Sequence, residues 1–534
     1  MTPDHDFLTL DPTSDEFREL GYRVVDTIAD HYDRVEDVPT LTDATPEAVA
    51  SEFDEPVPME GTDPDRILDD WDERVYPYAA HQGSPRWFGY VNGSGTPMGV
   101  LADALAASVN MNVGGWVLSP SATEVERQCI EWLAEMIGFP TDGGGVLTSG
   151  GTMANQAALY AALQAATDFS LRQTGFAGRD ADERFTIYES EHEGHSSITR
   201  VAEVIGIGRE AIRTVPVDDE YRMDVEALEE IVEADVDAGS TPFAVVAQVG
   251  SINVSAIDPL AAIADVCAAH DLWMHADGAC GAVGAILPEK APLYAGLERA
   301  DSVTIDPHKW LSIPYSCGCV LFRDEFVQAR AFSMEASYLD VSERAEYQGT
   351  NYAFLGPEMS RPFRALKLWM NLKHRGVEGY RTLLAQGCTC AEHLHERVLE
   401  AADLEALQEP NLFIYSFRYV PAELQARTSA SSRVGDRART GDRSQAGDKS
   451  RAEDRDESTD VDAYADWLNQ QIADDLRFSG LAYVTTTTVA GHVVLRFSIC
   501  SHRTTPEDID VTVDAILEHG ERIDGEERER FIVE

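Results

Sequence analysis

The sequence predicts an α/β layer fold with a mainly parallel central sheet, followed by a small C-terminal α/β domain. Two observations carry this. Between about residues 95 and 375, short apolar runs of strand length alternate with stretches of strong helix formers. After about residue 379 the pattern shortens to a strand at His492–Phe497 and a helix opened by Thr505 and Pro506, a cap followed by a first-turn proline.

The elements follow in order. Residues 14–32 place Phe17, Leu20, Val24, Val25 and Ile28 on one face of an amphipathic helix, which needs something to cover it. The acidic, proline-bearing stretch after it reads as an extended arm, so residues 1–94 form an N-terminal arm unit. Residues 95–378 form the large domain, with strands expected at 146–148, 185–188, 243–247, 272–275, 302–305 and 317–322. Helices are expected at 157–165 and 259–266. Residues 379–534 form the terminal domain. Within it, residues 427–460 are rich in Ser, Gly, Arg and Asp and nearly devoid of large apolar side chains, so a disordered insertion is expected.

Composition narrows the function. The net charge of −52 excludes a nucleic-acid partner, which requires a basic face, and acidic membranes would repel the chain. Such a surface suits a salt-rich cytoplasm, where screening suppresses self-repulsion. No segment approaches the length of a membrane span, and the N-terminus lacks a basic region followed by an apolar one, so a cytoplasmic location is expected. The eight cysteines are scattered through apolar runs without histidine partners, which reads as buried thiols and no metal site.

Lysine usage is the sharpest chemical signal. Only Lys290, Lys309, Lys367, Lys373 and Lys449 occur, while the other 37 basic residues are arginine. A position that keeps lysine in such a chain is a candidate for a deprotonatable amine, which arginine cannot supply. Lys309 lies in the run Asp306-Pro307-His308-Lys309-Trp310, in a loop between two expected strands. An amine there can form a Schiff base with an aldehyde cofactor. An ordinary ion-pair lysine is the alternative at this point.

Three further features accompany it. The run GGGVLTSGGTMAN at 143–155 is a strand followed by a small-residue turn that opens a helix, a geometry in which free amides receive a phosphate. Asp277 ends an apolar strand 32 residues before Lys309. A carboxylate there could hold a proton on a pyridine nitrogen, although a turn or helix cap is the commoner use of such a residue. His195 follows the strand at 185–188 in the run Gly194-His195-Ser196-Ser197, with His192 as a nearby competitor.

The segment SVTIDPHKWLSIPYSCGCVLFRD, with SPRWFGY at 84–90 and SPSATEVE at 119–126, resembles the group II pyridoxal-phosphate-dependent amino acid decarboxylases. The resemblance covers about residues 15–420 and resumes at 460–515. It implies the aspartate-aminotransferase-like (fold type I) architecture, pyridoxal 5'-phosphate (PLP) as cofactor, an amino acid substrate, and a homodimer with shared active sites. It implies Lys309 as the anchor, Asp277 at the pyridine nitrogen, and His195 stacked on the ring. Gly151 and Thr152 fall at the phosphate-contacting positions, Ala279 closes the HxDxA pattern, and His308 helps hold the phosphate or the lysine. Gly250-Ser251-Ile252-Asn253 departs from the family's Gly-Thr-Thr run, so Ile252 receives no role. Counting back from Arg361, Tyr352 matches the loop tyrosine that returns a proton to the substrate carbon, with Tyr347 as the rival position. The activity implied is decarboxylation of an L-amino acid, aromatic substrates being favoured by similarity alone. An aminotransferase or aldehyde synthase, and a non-catalytic protein on this scaffold, stand as alternatives.

Overall fold

The computed structural model describes residues 12–178, 183–191, 193–334, 349–428 and 457–531. Seven strands form the central sheet: β1 Gly144–Thr148, β2 Phe185–Ser190, β3 Ile212–Val215, β4 Thr241–Gln248, β5 Trp273–Asp277, β6 Ser302–Ile305 and β7 Gly318–Phe322. Their order across the sheet is β1-β7-β6-β5-β4-β2-β3. Strands β3, β2, β4, β5 and β6 pair in parallel, and β7 pairs antiparallel with both β6 and β1. Two reversals restore direction, so β1 points the same way as β6. The carboxyl ends of β1, β2, β4, β5 and β6 therefore meet along one edge, where ligands bind in such sheets.

Burial explains why these runs are strands. Every residue of β2, β6 and β7 is buried, which is the apolar-on-both-faces pattern of a sheet covered by helices on each side. The expected mainly parallel sheet is present, and the antiparallel β7 is the part that composition could not indicate, since strand direction leaves no mark on a short apolar run.

A second, four-stranded sheet has the order β10-β11-β9-β8, with β8 Leu404–Ala406, β9 Ile414–Tyr419, β10 Thr485–Val489 and β11 His492–Ser498, all antiparallel. The helices Glu457–Ser479 and Pro506–Phe531 pack with it around Phe417, Phe497, Leu468 and Ile516. The helix Ala365–Glu400 contributes to both cores and is broken at Gly376, whose φ of 66° and ψ of 172° lie outside helical space. Of the segment 427–460, residues 429–456 lie outside the described residues, whereas 457–460 open the Glu457–Ser479 helix.

The leading helix spans Ser14–Arg34 and starts with a capping box between Thr13 and Glu16. None of its residues is buried, and Phe17, Tyr22 and Val25 are exposed. Leu101, Leu105 and Val109 on the helix Pro97–Val109 are exposed as well. All eight cysteines are buried and unpaired, as expected. No described helix is long and apolar enough to cross a membrane.

Inside the large domain, Arg361 and Glu126 form a buried bidentate pair, with Nη2–Oε1 at 2.5 Å and Nη1–Oε2 at 3.1 Å. Arg361 also donates to the carbonyls of Val113 and Leu147, while Glu126 accepts from the Leu147 amide. This cluster ties β1, and with it the turn that follows, to the helix beside it.

Candidate active site

A cleft of about 350 Å³ opens at the shared carboxyl edge of the strands. His195, Gly151, Thr152, Asp277, Ala279, His308 and Lys309 all line it. They arrive from separate elements. Gly151 and Thr152 begin the helix Gly151–Ala166 after β1, and His195 precedes the helix Ser196–Val204 after β2. Asp277 ends β5, and Lys309 and His308 follow β6.

Lys309 is held by its turn and by the N-terminal segment. Its amide donates to the Asp306 carbonyl at 2.9 Å, and the Gly93 amide donates to the His308 carbonyl at 3.2 Å. A Cβ on Gly93 would stand 2.3 Å from the Lys309 carbonyl oxygen, so this approach requires glycine. The amine Nζ lies 3.1 Å from Asp306 Oδ2 and 3.6 Å from Cys280 Sγ. Burial alone would lower the ammonium, but the neighbouring Cys280, Asp306 and Asp277 outweigh it and hold Lys309 above its ordinary value. Burial also raises the Cys280 thiol and keeps it neutral, so the two carboxylates carry the effect.

Asp277 is positioned from both oxygens. Oδ1 accepts from the Ala279 amide at 3.2 Å and Oδ2 from Asn155 Nδ2 at 2.8 Å. The orientation of Asn155 follows from its other neighbours. Trp273 Nε1 donates to Ser302 Oγ at 2.9 Å, and the Ser302 hydroxyl faces His275 Nδ1 at 2.8 Å. His275 Nε2 then faces Asn155 Oδ1 at 3.0 Å, and Thr304 Oγ1 donates to the same oxygen at 2.6 Å. Burial pushes His275 down to about 4, so it is neutral and its Nε2–H donates. The Asn155 amide nitrogen is left for Asp277 and for Ser197 Oγ at 3.0 Å.

His195 caps its helix through Nδ1, which accepts from the Ser197 amide at 3.1 Å. Burial lowers its imidazole below the ordinary value, against the pull of Asp277. It is thus neutral at pH 7 and carries its proton on Nε2. His308 Nδ1 donates to the Cys317 carbonyl at 2.7 Å, and its ring lies 4.5 Å from that of Tyr315. His192 and Tyr347 lie outside the described residues.

Tyr352 is placed elsewhere. It begins the short turn Tyr352–Phe354, is 2 % exposed, and its ring lies 5.0 Å from the Arg361 guanidinium carbon. It lines a separate cavity with Gly144, Gly145 and Glu325 and, within one chain, does not line the Lys309 cleft. Conversely, Asn155, Ser197, Gln248, Ile252, Cys280 and Asp306 line the cleft without having been singled out. Arg496 on β11 is a further unsought neighbour, donating to the Ile252 carbonyl at 3.2 Å and so securing one wall. A polar Asn155 one turn into an alanine-rich helix was the available signal for that residue.

Two buried carboxyls underlie the His195 loop. Glu189 Oε2 and Glu193 Oε2 have no hydrogen-bond partner among the described residues, and burial pushes both groups up to about 7. Asp277 adds to the effect at Glu189, whereas hydrogen bonds from Ser251 and Asn253 oppose it at Glu193. Their folded values exceed those of the unfolded chain, so the stability they contribute is present below about pH 4.5 and is lost as pH rises through 7. The expected cost is on the order of 3 kcal/mol each. Denaturant titrations of the cofactor-free protein at constant salt should show stability falling between pH 5 and 8, and the fall should shrink in the Glu189→Gln/Glu193→Gln variant. An unchanged slope would show that these carboxyls ionise without penalty.

The residues fit PLP. A lysine amine, a carboxylate at a neighbouring strand end and a helix N-terminus bare of side chains at Gly150 and Gly151 match its aldehyde, ring nitrogen and phosphate. The class so defined is a PLP-dependent enzyme of fold type I. The chain belongs to the pyridoxal-dependent decarboxylase family, whose conserved domain matches residues 46–420. It is 32 % identical over 498 residues to an aromatic-L-amino-acid decarboxylase of Bacillus atrophaeus, covering 93 % of this chain and 94 % of that one. A phenylacetaldehyde synthase of Arabidopsis thaliana is 30 % identical over 418 residues, or 77 % of this chain and 84 % of the relative. Among solved structures, Oryza sativa TDC with PLP and tryptamine superposes with a TM-score of 0.83 at 28 % identity, covering 97 % of this chain and 99 % of that one. The protein is therefore a PLP-dependent carboxy-lyase.

Proposed function

We propose that this protein converts an aromatic L-amino acid to the corresponding amine and carbon dioxide, as a cytoplasmic homodimer suited to high salt. The observation that carries the chemistry is the convergence of the Lys309 amine, the Asp277 carboxylate and the neutral His195 imidazole on one cleft. The aromatic preference rests on relatives such as the Bacillus atrophaeus decarboxylase and a rice tryptophan decarboxylase, 26 % identical over 520 residues. Dimerisation is supported by the uncovered apolar side chains of Phe17, Tyr22, Leu101 and Leu105.

PLP, when bound, supplies an electron sink for the pair released as the carboxylate leaves. Lys309 anchors its aldehyde. Asp277, held by Asn155 and the Ala279 amide, keeps positive charge on the ring nitrogen. His195 would lie against the ring and offer its Nε2–H to the substrate carboxylate. The proton that replaces carbon dioxide is assigned to Tyr352, acting in a cleft completed by a second subunit. That role requires the Tyr352–Phe354 turn to leave its packing against Arg361.

The test is carbon dioxide release across the twenty amino acids and 2,4-diaminobutyrate, with amine, aldehyde and keto acid measured in the same reactions. Aromatic substrates should yield amine and carbon dioxide one to one. Release from acidic or aliphatic substrates alone would overturn the aromatic assignment, and keto acid without carbon dioxide would make the protein an aminotransferase. The aldehyde-synthase reading predicts aldehyde as the main product instead.

A further inference from the structure

Cys280 and Lys309 stand on neighbouring turns of the cleft. β5 and β6 pair in parallel, with Asp277 opposite Thr304, so the turn after β5 that carries Cys280 lies beside the loop after β6 that carries Lys309. Lys309 Nζ donates to Cys280 Sγ at 3.6 Å. Both turns are held by backbone contacts, that of Lys309 through Gly93 and that of Cys280 through Gly281. The Gly281 amide donates to the Val249 carbonyl at 3.1 Å, and a Cβ on Gly281 would stand 2.5 Å from that oxygen, so the Cys280 turn is pressed against the end of β4.

The pairing is also selective. Among the described residues lining the cleft, Cys280 is the one thiol and Lys309 the one amine. The other seven cysteines are buried and do not line it. Burial raises the Cys280 thiol, while the Lys309 ammonium opposes that by its charge and by its hydrogen bond. A small oxidant entering the cleft therefore meets one sulfur, and that sulfur already touches a nitrogen.

Resting on the cofactor reading above, we propose that Cys280 and Lys309 form a reversible oxidative cap on the cofactor anchor, a sulfur–nitrogen bond made by a hydroperoxide when the cleft holds no PLP. Atoms and electrons balance. A sulfur electron pair attacks the peroxide, the S–O bond forms as the O–O bond breaks, and the thiol proton leaves with the water or alcohol released. Sulfur is then oxidised by two electrons, as a sulfenic acid. The Lys309 ammonium sheds a proton, its nitrogen pair attacks the sulfur, and the S–O bond breaks with loss of water. The product is a sulfenamide joining Cys280 Sγ to Lys309 Nζ, which two equivalents of a thiol reductant return to thiol and amine. Contact between the two side chains makes the second step intramolecular, which favours this amine over other nucleophiles. PLP protects the pair, because its aldehyde takes the same nitrogen.

The test treats the full chain with hydrogen peroxide, with and without PLP, and reads a tryptic digest by mass spectrometry. The cofactor-free chain should yield a cross-linked pair of peptides, one carrying Cys280 and one Lys309, lighter than their sum by two hydrogens and separated by dithiothreitol. PLP uptake, followed by the visible band, should be lost with the cross-link and return with the reductant. The PLP-loaded chain should give no such pair. Cys280→Ser, compared with its own untreated sample, should keep its PLP uptake through the same treatment, and Cys280→Ala takes its place if the serine variant does not fold. Absence of the cross-link overturns the proposal, as does a disulfide from Cys280 to its neighbour Cys500, or the same loss of uptake in Cys280→Ser. Equal cross-linking in a chain whose visible band shows bound PLP overturns it too. A chain that never binds PLP would instead overturn the cofactor reading, with the cross-link still measurable.

Discussion

Replacing Lys309 by alanine should abolish turnover, by at least about four orders of magnitude, together with the borohydride-reducible visible band of the PLP-loaded protein. The loss is chemical in origin, because little of the fold depends on this side chain. The turn is made by the Lys309 amide on the Asp306 carbonyl and by Gly93 on the His308 carbonyl, and Trp310 beside it is anchored on Phe413 with ring centroids 4.1 Å apart. Circular dichroism and the unfolding transition should therefore remain native. Lys309→Arg sharpens the result. It keeps a cation for Asp306 yet has no amine that can lose a proton, so it should be as inactive as the alanine variant. A reducible band in either variant would show that another amine anchors the cofactor.

How far the sequence foretold this site depends on whether a residue acts alone or through others. Lys309 and Asp277 stand at or just beyond the ends of apolar runs, where a polar side chain is conspicuous and the strand-end rule assigns it to the ligand edge, whereas His195 lies in an acidic loop and was legible only through the family resemblance. Their convergence could be read once the sheet was taken as parallel. Asn155 could not be found that way. Its meaning comes from contacts with Asp277, His275 and Thr304, which are 122, 120 and 149 positions away. A lone amide in a helix of small residues says nothing of that. Asp306 was in plain view beside Lys309, but its closeness to Gly151 and its unpaired Oδ1 appear only in the structure.

Other limits are equally physical. Counting residues back from Arg361 located Tyr352 along the chain, but the Arg361 guanidinium and the core around β1 decide where its ring lies. The antiparallel β7 could not be distinguished from a parallel strand by its apolar run. The leading helix was expected to bury Phe17 and Val25 against something, and within a single chain it does not. Its amphipathic pattern predicts a need for cover, and a partner subunit is the cover proposed.

Replacing Asp277 by asparagine should lower turnover by about a thousandfold or more while leaving the cofactor bound and the visible band reducible. The two variants thereby separate anchoring from electron withdrawal. Asp277 is 5 % exposed, and in the proposed mechanism its charge would act on the ring nitrogen across little solvent, so the carboxylate would stabilise a protonated ring far better than it would in water. An asparagine has nearly the same shape but no charge to hold that proton, and its amide nitrogen would meet either the Asn155 amide nitrogen or the Ala279 amide, both donors. The ring should then titrate as a neutral pyridine, and the absorbance of the loaded protein should show it by a shift in its pH dependence. Asp277→Glu keeps the charge but cannot satisfy Asn155 and the Ala279 amide together, so its rate should fall between the two. If Asp277→Asn retained turnover, the electrons released with carbon dioxide would not depend on a protonated ring, and the hydrogen-bonded chain from Trp273 through His275 and Asn155 would serve only to fill the core.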